Sequence, residues 1–217
     1  MSAFDPGFDA LPPQLPIFPL TGVLLLPRGE LPLNIFEPRY LHMTEDALAA
    51  DRMIGMIQPT EHESSRPNPP VYRTGCAGRI VSFQETEDGR FLLTLKGVCR
   101  FDVEKELPLK RGYRPVVADW SRHRDDLTVR GEGIDRGRLL ASLKSYFSVH
   151  GISADWKAIE ASADERLVTC LSMICPFEAS EKQALLEAPN LPERSKILTT
   201  LVEMSVHAKS PGRAGPQ

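Results

Sequence analysis

The stretch from Arg90 to Val103 constrains the fold more than any other part of the chain. Phe91, Leu93, Leu95, Gly97, Cys99, Phe101 and Val103 take every second position, and Arg90, Thr94, Lys96, Arg100 and Asp102 fill most of the rest. Side chains alternate across a strand, so a pattern this long demands an extended segment with one face in a core. Leu92 and Val98 break the alternation, and Gly97 marks a bend or bulge. Tyr72 to Phe83 reads as a second extended run. Between the two, Thr86-Glu87-Asp88-Gly89 supplies a turn with glycine where positive φ is needed. Residues 71–83 and 90–103 are therefore expected to form a long bent hairpin.

Shorter strands are expected at 16–20, 23–26, 31–36, 53–58 and 113–119, each bounded by proline or glycine. Pro32 inside its run points to an edge strand, because proline cannot donate to a ladder. One helix interrupts these strands. Pro38 suits its first position, and Tyr40, Leu41, Thr44, Ala47 and Leu48 give it an apolar stripe.

Beyond residue 133 the periodicity turns helical. Leu139, Leu140, Leu143, Tyr146 and Phe147 make one helix, and Val168, Leu171 and Cys175 line another that Pro176 ends. Ser162 to Glu165 and Ser180 to Gln183 both match the S-x-x-E/Q capping box. Asn190, Pro192 and Glu193 open a last helix carrying Ile197, Leu198, Leu201 and Met204. The expected organisation is a flexible N-terminus (1–14), a β domain (15–121), a polar connector (122–133), a helical subdomain (134–207) and a disordered tail (208–217). The fold class is α+β.

The 217 residues are 41% hydrophobic and 25% charged, with a formal charge of −3. Such a balance suits a globular protein and argues against a general nucleic-acid or membrane-surface binder. Crossing a bilayer takes roughly 20 apolar residues, and the longest aliphatic run, Val23 to Leu26, is closed at once by Pro27. Met1 to Pro16 contains no Lys, Arg or apolar core of a secretory signal, so the expected location is the cytoplasm. Cys76, Cys99, Cys170 and Cys175 form no C-x-x-C pair and are expected to be reduced and buried.

Most catalytic signatures are missing. There is no Gly-Lys dipeptide for a phosphate loop and no G-x-S-x-G elbow, and Gly131-Glu132-Gly133 lacks the third glycine of a dinucleotide fingerprint. Glu61-His62-Glu63 stands in a polar loop where adjacent side chains diverge, so no metal site is expected and no cofactor is implied. One electrostatic feature stands out. Lys110 to Arg138 holds eight Lys/Arg and five Asp/Glu, a local excess of basic residues in an acidic chain. Arg111, Arg114, Arg122 and Arg124 would be the core of an RNA- or phosphate-facing patch.

Several segments together resemble the Lon protease N-terminal domain family. They are Leu15 to Leu20, Val23 to Pro27, and Leu31 to Tyr40 with its Phe36-Glu37-Pro38-Arg39-Tyr40 segment. Gly75 to Ile80, Asp88 to Phe91 running on to Gly97 to Phe101, and Glu181 to Glu187 fit as well. The resemblance covers about residues 14–205 and is to the free-standing bacterial version. It implies a PUA-like β pseudo-barrel followed by helices. It also implies a role in holding substrate polypeptides, with the ATPase and protease work done by separate domains. No enzymatic activity is expected of the matched region.

Three functions compete. The first is a polypeptide-binding module, taking unfolded or degron-bearing chains and handing them to a protease or chaperone. Its binding residues would be Leu31, Leu33, Phe36, Arg39 and Tyr40, at a strand-to-helix junction. Leu33 and Ile35 share one strand face, so Asn34 and Phe36 point the other way. Phe36 then either stays near the surface or tucks under the helix as a hydrophobic staple. The second function is an RNA-binding module of PUA-like type using the basic stretch, and the third is a hydrolase assembled from distant residues.

Overall fold

The computed structural model describes residues 6–61, 68–128 and 133–209. The chain divides into two compact units, Met1–Arg130 and Gly131–Gln217. In the first unit, strands β1 (Gln14–Pro19), β2 (Glu30–Ile35), β3 (Met53–Ile57), β4 (Thr74–Glu85), β5 (Phe91–Glu106) and β6 (Arg114–Asp119) form one sheet in the order β2-β5-β4-β3-β1-β6. All pairings are antiparallel except β1 with β3.

The long hairpin forms as expected. β4 and β5 pair from Thr74/Asp102 to Glu85/Phe91, and the turn closes with Gly89 at φ 75°. The register shifts where Ala77 opposes Cys99 but Gly78 opposes Gly97, so Val98 is the extra residue of a bulge. That bulge explains one break in the alternation: Val98 turns inward and is buried. Gly97 is needed there for space, since a Cβ would come within 2.0 Å of the Leu26 carbonyl oxygen.

The expected pseudo-barrel is corrected to this sheet. β5 is long enough to pair with β2 and β4 first and with β6 near its end, so the sheet turns back on itself. β2 keeps a single strand neighbour and a free edge. The strand expected at 23–26 is also corrected. Leu24, Leu25 and Leu26 are all buried in an irregular segment that crosses β5 at Gly97, where Arg28 N donates to Gly97 O and Gly97 N to Gly29 O, both at 2.8 Å. Consecutive apolar residues buried on every side cannot alternate, which is why this run mimics a core strand.

Helix α1 (Pro38–Leu48) begins with Pro38 in its first turn and buries Tyr40, Met43, Thr44 and Ala47. The connector expected from residue 122 is in part a 3-10 helical segment, Ser121–Leu127, held on β5 by buried polar groups. Its charge made it look solvated, yet His123 and Asp126 are both buried.

The second unit contains α2 (Arg136–His150), α3 (Trp156–Ala161), α4 (Asp164–Ile174), α5 (Ala179–Glu187) and α6 (Leu191–Lys209). Of the expected capping boxes, the first does not form, since α4 has Ala163 as its N-cap with no side-chain cap, and the second is displaced. Ser162 ends α3, and the box on α5 is Glu178 with Glu181, two residues before the expected one. Glutamate does at Glu178 what serine usually does, because its carboxylate can accept the same orphan N–H. Cys76, Cys99 and Cys175 are buried and unbridged, whereas Cys170 is exposed, against expectation, on the outer side of α4.

Candidate functional site

The polar cluster on β5 is the first place to look for chemistry. Asp102 is fully buried. It accepts from Thr74 Oγ1 at 2.8 Å and Arg122 at 2.7 Å, and His123 Nε2 lies 3.1 Å away. Burial alone would raise its pKa, but these partners outweigh it and hold the carboxyl below its usual range. His123 is lowered too, but here burial is the cause, and it depresses the pKa more than Asp102 raises it. The nearest thiol, Cys99, bonds to the His123 carbonyl and is pushed up to about 12 by burial. A buried neutral thiol and a threonine that bonds the carboxylate instead of the imidazole make no nucleophile-base pair. The cluster fastens Ser121–Leu127 to the sheet.

The residues of the basic stretch do not come together as a patch. Arg111 donates to Glu45 and Asp46 at 2.8 and 2.9 Å, and Arg114 donates twice to Glu106. Arg122 is spent on Asp102, and Arg124 lies over the Phe8 ring at 4.3 Å. With Arg111, Arg114 and Arg122 each paired to a carboxylate, three of the four guanidiniums offer phosphate little uncompensated charge. Of the polar triplet, His62 and Glu63 lie outside the described residues, and no group of three metal-ligating side chains occurs among the described ones.

The residues of the strand-to-helix junction divide between two places. Cross-strand partners share a face of a sheet. Leu31 and Leu33 oppose Leu95 and Leu93 and are half-buried on the core side. Phe36 is 61% exposed, so the staple under the helix is not made. The Arg90 guanidinium lies 5.9 Å from its ring centre. On the same side of the sheet Leu92, 41% exposed, stands between Asn34 of β2 and Gln84 of β4. Leu92, Pro32, Asn34, Gln84 and Thr94 belong to an open groove of about 450 Å³.

This groove lies beside a protected edge. Gly97 N donates to Gly29 O, so the alternation directs residues 31, 33 and 35 toward β5 and the backbone of Glu30, Pro32 and Asn34 outward. Pro32 has no N–H and removes the central donor of that edge, which discourages strand addition. Binding here would depend on the side-chain face: an apolar centre for burial and flanking amides for a peptide backbone.

Arg39 and Tyr40 lie elsewhere. Tyr40 is 6% exposed, with its ring 4.2 Å from that of Phe18, and Arg39 stacks on it while pairing with Glu37. Arg39, Tyr40 and Arg114 line a smaller cavity of about 180 Å³ with Ile17, Pro19 and Tyr113. Leu92 and Gln84 were absent from the residues expected at a site. The signal for Leu92 was its place as an apolar exception on the polar face of an otherwise alternating strand.

The model of the ATP-dependent protease La (LON) substrate-binding domain matches residues 14–204. A Lon protease of Dictyoglomus thermophilum is 28% identical over 195 residues, and Lon protease 2 of Myxococcus xanthus is 24% identical over 198. Those alignments take in 87% and 89% of this chain and 24% of each relative, so the chain spans about a quarter of their length. Among solved structures, a Lon N-terminal domain protein from Xanthomonas campestris superposes with a TM-score of 0.63 at 20% identity, over 86% of this chain and 97% of that one. The N-terminal domain of the Mycobacterium avium complex Lon protease gives 0.61 at 14% identity, over 87% and 97%. These two likenesses establish a shared fold.

Proposed function

This chain belongs to the LON substrate-binding domain family, and from that premise we propose that it is a non-enzymatic module that captures unfolded polypeptide. The observation that carries the proposal is the solvent-facing groove around Leu92, with Phe36 beyond it and the amides of Asn34 and Gln84 at its sides. An extended chain laid there could bury apolar side chains on Leu92 and Phe36 while its backbone bonds the amides. Burying one such side chain supplies about 1.5–3 kcal/mol, which suits weak, sequence-tolerant capture. The adaptor role belongs to the same proposal: the captured chain passes to an ATP-dependent protease or a chaperone.

The test is fluorescence anisotropy with a labelled, reduced and carboxymethylated protein, compared with its native form. Leu92→Gln keeps the strand and removes the apolar centre, and it should weaken binding of the unfolded form by about 1–2 kcal/mol. Equal binding by the variant would remove the groove from consideration. No preference for the unfolded form would remove the function.

A further inference from the structure

A third place on the first unit is set up for a cation, and we propose that it receives the N-terminal ammonium group of a bound polypeptide, with an apolar first side chain beside it. The inference rests on the polypeptide-binding reading and adds which part of the chain is recognised. The place is a cavity of about 250 Å³ where β1, the end of α1 and the start of β3 meet. Leu15, Ala47, Met53 and Pro115 give it apolar walls, and Gln14 and Asp51 stand exposed at its rim.

The charges that line the cavity do not balance. Asp46, Asp51 and Lys110 supply two carboxylates against one ammonium. Lys110 is committed to Asp46 at 3.1 Å, and Asp46 also accepts from Tyr113 at 2.7 Å and from Arg111 at 2.9 Å. These partners, the Tyr113 hydroxyl first, hold the Asp46 pKa at about 2. Asp46 is thus satisfied. Asp51 is not: among the described residues its carboxylate makes no ion pair and no hydrogen bond. Arg52 follows it in the chain but does not line the cavity.

Two backbone features add acceptors to the same wall. Helix α1 ends here, and its last turn carries no basic residue to meet the negative end of the helix dipole. The pairing of β1 with β3 starts at Ile17 with Gly55 and does not reach back to Leu15 and Met53. Pro16 is the reason, because it has no N–H to offer the Met53 carbonyl, and both residues line the cavity. An ammonium carries three donors and no acceptor, which suits a carboxylate, a helix end and a strand carbonyl that have no cation of their own. In an N-terminus the ammonium and the first side chain share one carbon, so the acceptors and the apolar walls are met together. The Gln14 amide at the rim then faces the peptide backbone that leaves the cavity.

The experiment uses the full chain and a hexapeptide that begins with leucine and carries fluorescein at its C-terminus. The peptide is made with a free amine, with an acetylated N-terminus, and acetylated with lysine in the first position. The free amine should bind about tenfold more tightly than the acetylated form, the low end for hydrogen bonds to a charged group. Asp51→Asn should abolish that difference without lowering the melting temperature, and a preference that survives in this variant would overturn the cavity as the place of the ammonium. Equal affinity of free and acetylated peptides, both weakened by Leu92→Gln, would overturn the cavity and leave the groove standing. Failure of all three peptides while carboxymethylated protein still binds would do the same. An acetylated lysine peptide that binds like the free amine would overturn the chain start as the source of the ammonium. Failure of all three peptides, together with failure of unfolded protein to bind, would overturn both readings.

Discussion

Arg100 holds Asp126 by three hydrogen bonds. Its Nε and terminal nitrogen donate at 2.9 and 2.8 Å, and its backbone N–H donates to the same carboxylate at 2.9 Å. Both side chains are buried, so the pair ties the segment after β6 to the middle of β5 where water cannot replace it. Removing one partner leaves an uncompensated charge inside. Asp126→Ala should therefore destabilise the first unit by about 3–5 kcal/mol, read from urea unfolding. A loss under about 1 kcal/mol would mean that the segment is not held there.

Acid should weaken the same region in two stages. The folded-state pKa of His123 lies below its ordinary value, chiefly through burial, so the unfolded chain takes up a proton first and stability falls as pH drops through about 6.5. Asp102 and Asp126 also lie below their ordinary range, because their hydrogen-bond partners outweigh burial. Their contribution is present above about pH 4 and is lost as pH falls further. Melting temperatures measured from pH 8 to pH 3 should show both declines, and His123→Gln should flatten only the first. An unchanged upper slope in that variant would assign it to another group.

Gly97→Ala tests the crossing of the irregular Leu24–Leu26 segment over β5. The new methyl meets a backbone carbonyl, which cannot swing aside as a side-chain tip can. The expected cost is about 3 kcal/mol or more, at the upper end of overpacking effects, seen as a lower urea midpoint. Wild-type stability would show that the two backbones part without cost.

The alternation from Arg90 to Val103 made the hairpin legible, because a buried sheet face enforces a period that the chain cannot hide. The edge status of β2 was legible from Pro32, and α1 from Pro38 with its stripe. Residues 23–26 were misread because burial on all sides erases periodicity. Ser121–Leu127 was misread because charges that pair across the fold, such as Asp126 with Arg100 26 residues away, look solvated in the sequence. The site was half legible. The junction named Phe36, Arg39 and Tyr40 together, but the first points to an open face and the other two line a cavity. The partners that build each place, Leu92 for one and Tyr113 and Arg114 for the other, come from strands far along the chain.

Phe36 separates a stabilising role from a binding one. It sits one residue beyond Ile35, which is 2% exposed, while its own ring is mostly in water and touched by Arg90. A Phe lost from a core costs about 3–5 kcal/mol, whereas exposed positions away from special features stay within about 0.5 kcal/mol. Phe36→Ala should therefore leave the melting temperature within about 3 °C of wild type. It should still weaken capture of a carboxymethylated unfolded protein severalfold, because the groove loses the apolar surface at its open end. The contact is apolar, so the loss should be much the same at 50 and 500 mM salt, unlike a contact made through charges, which salt screens. A variant that melts far lower yet binds unfolded protein as tightly as wild type would make Phe36 a structural residue and leave Leu92 alone at the centre of the surface.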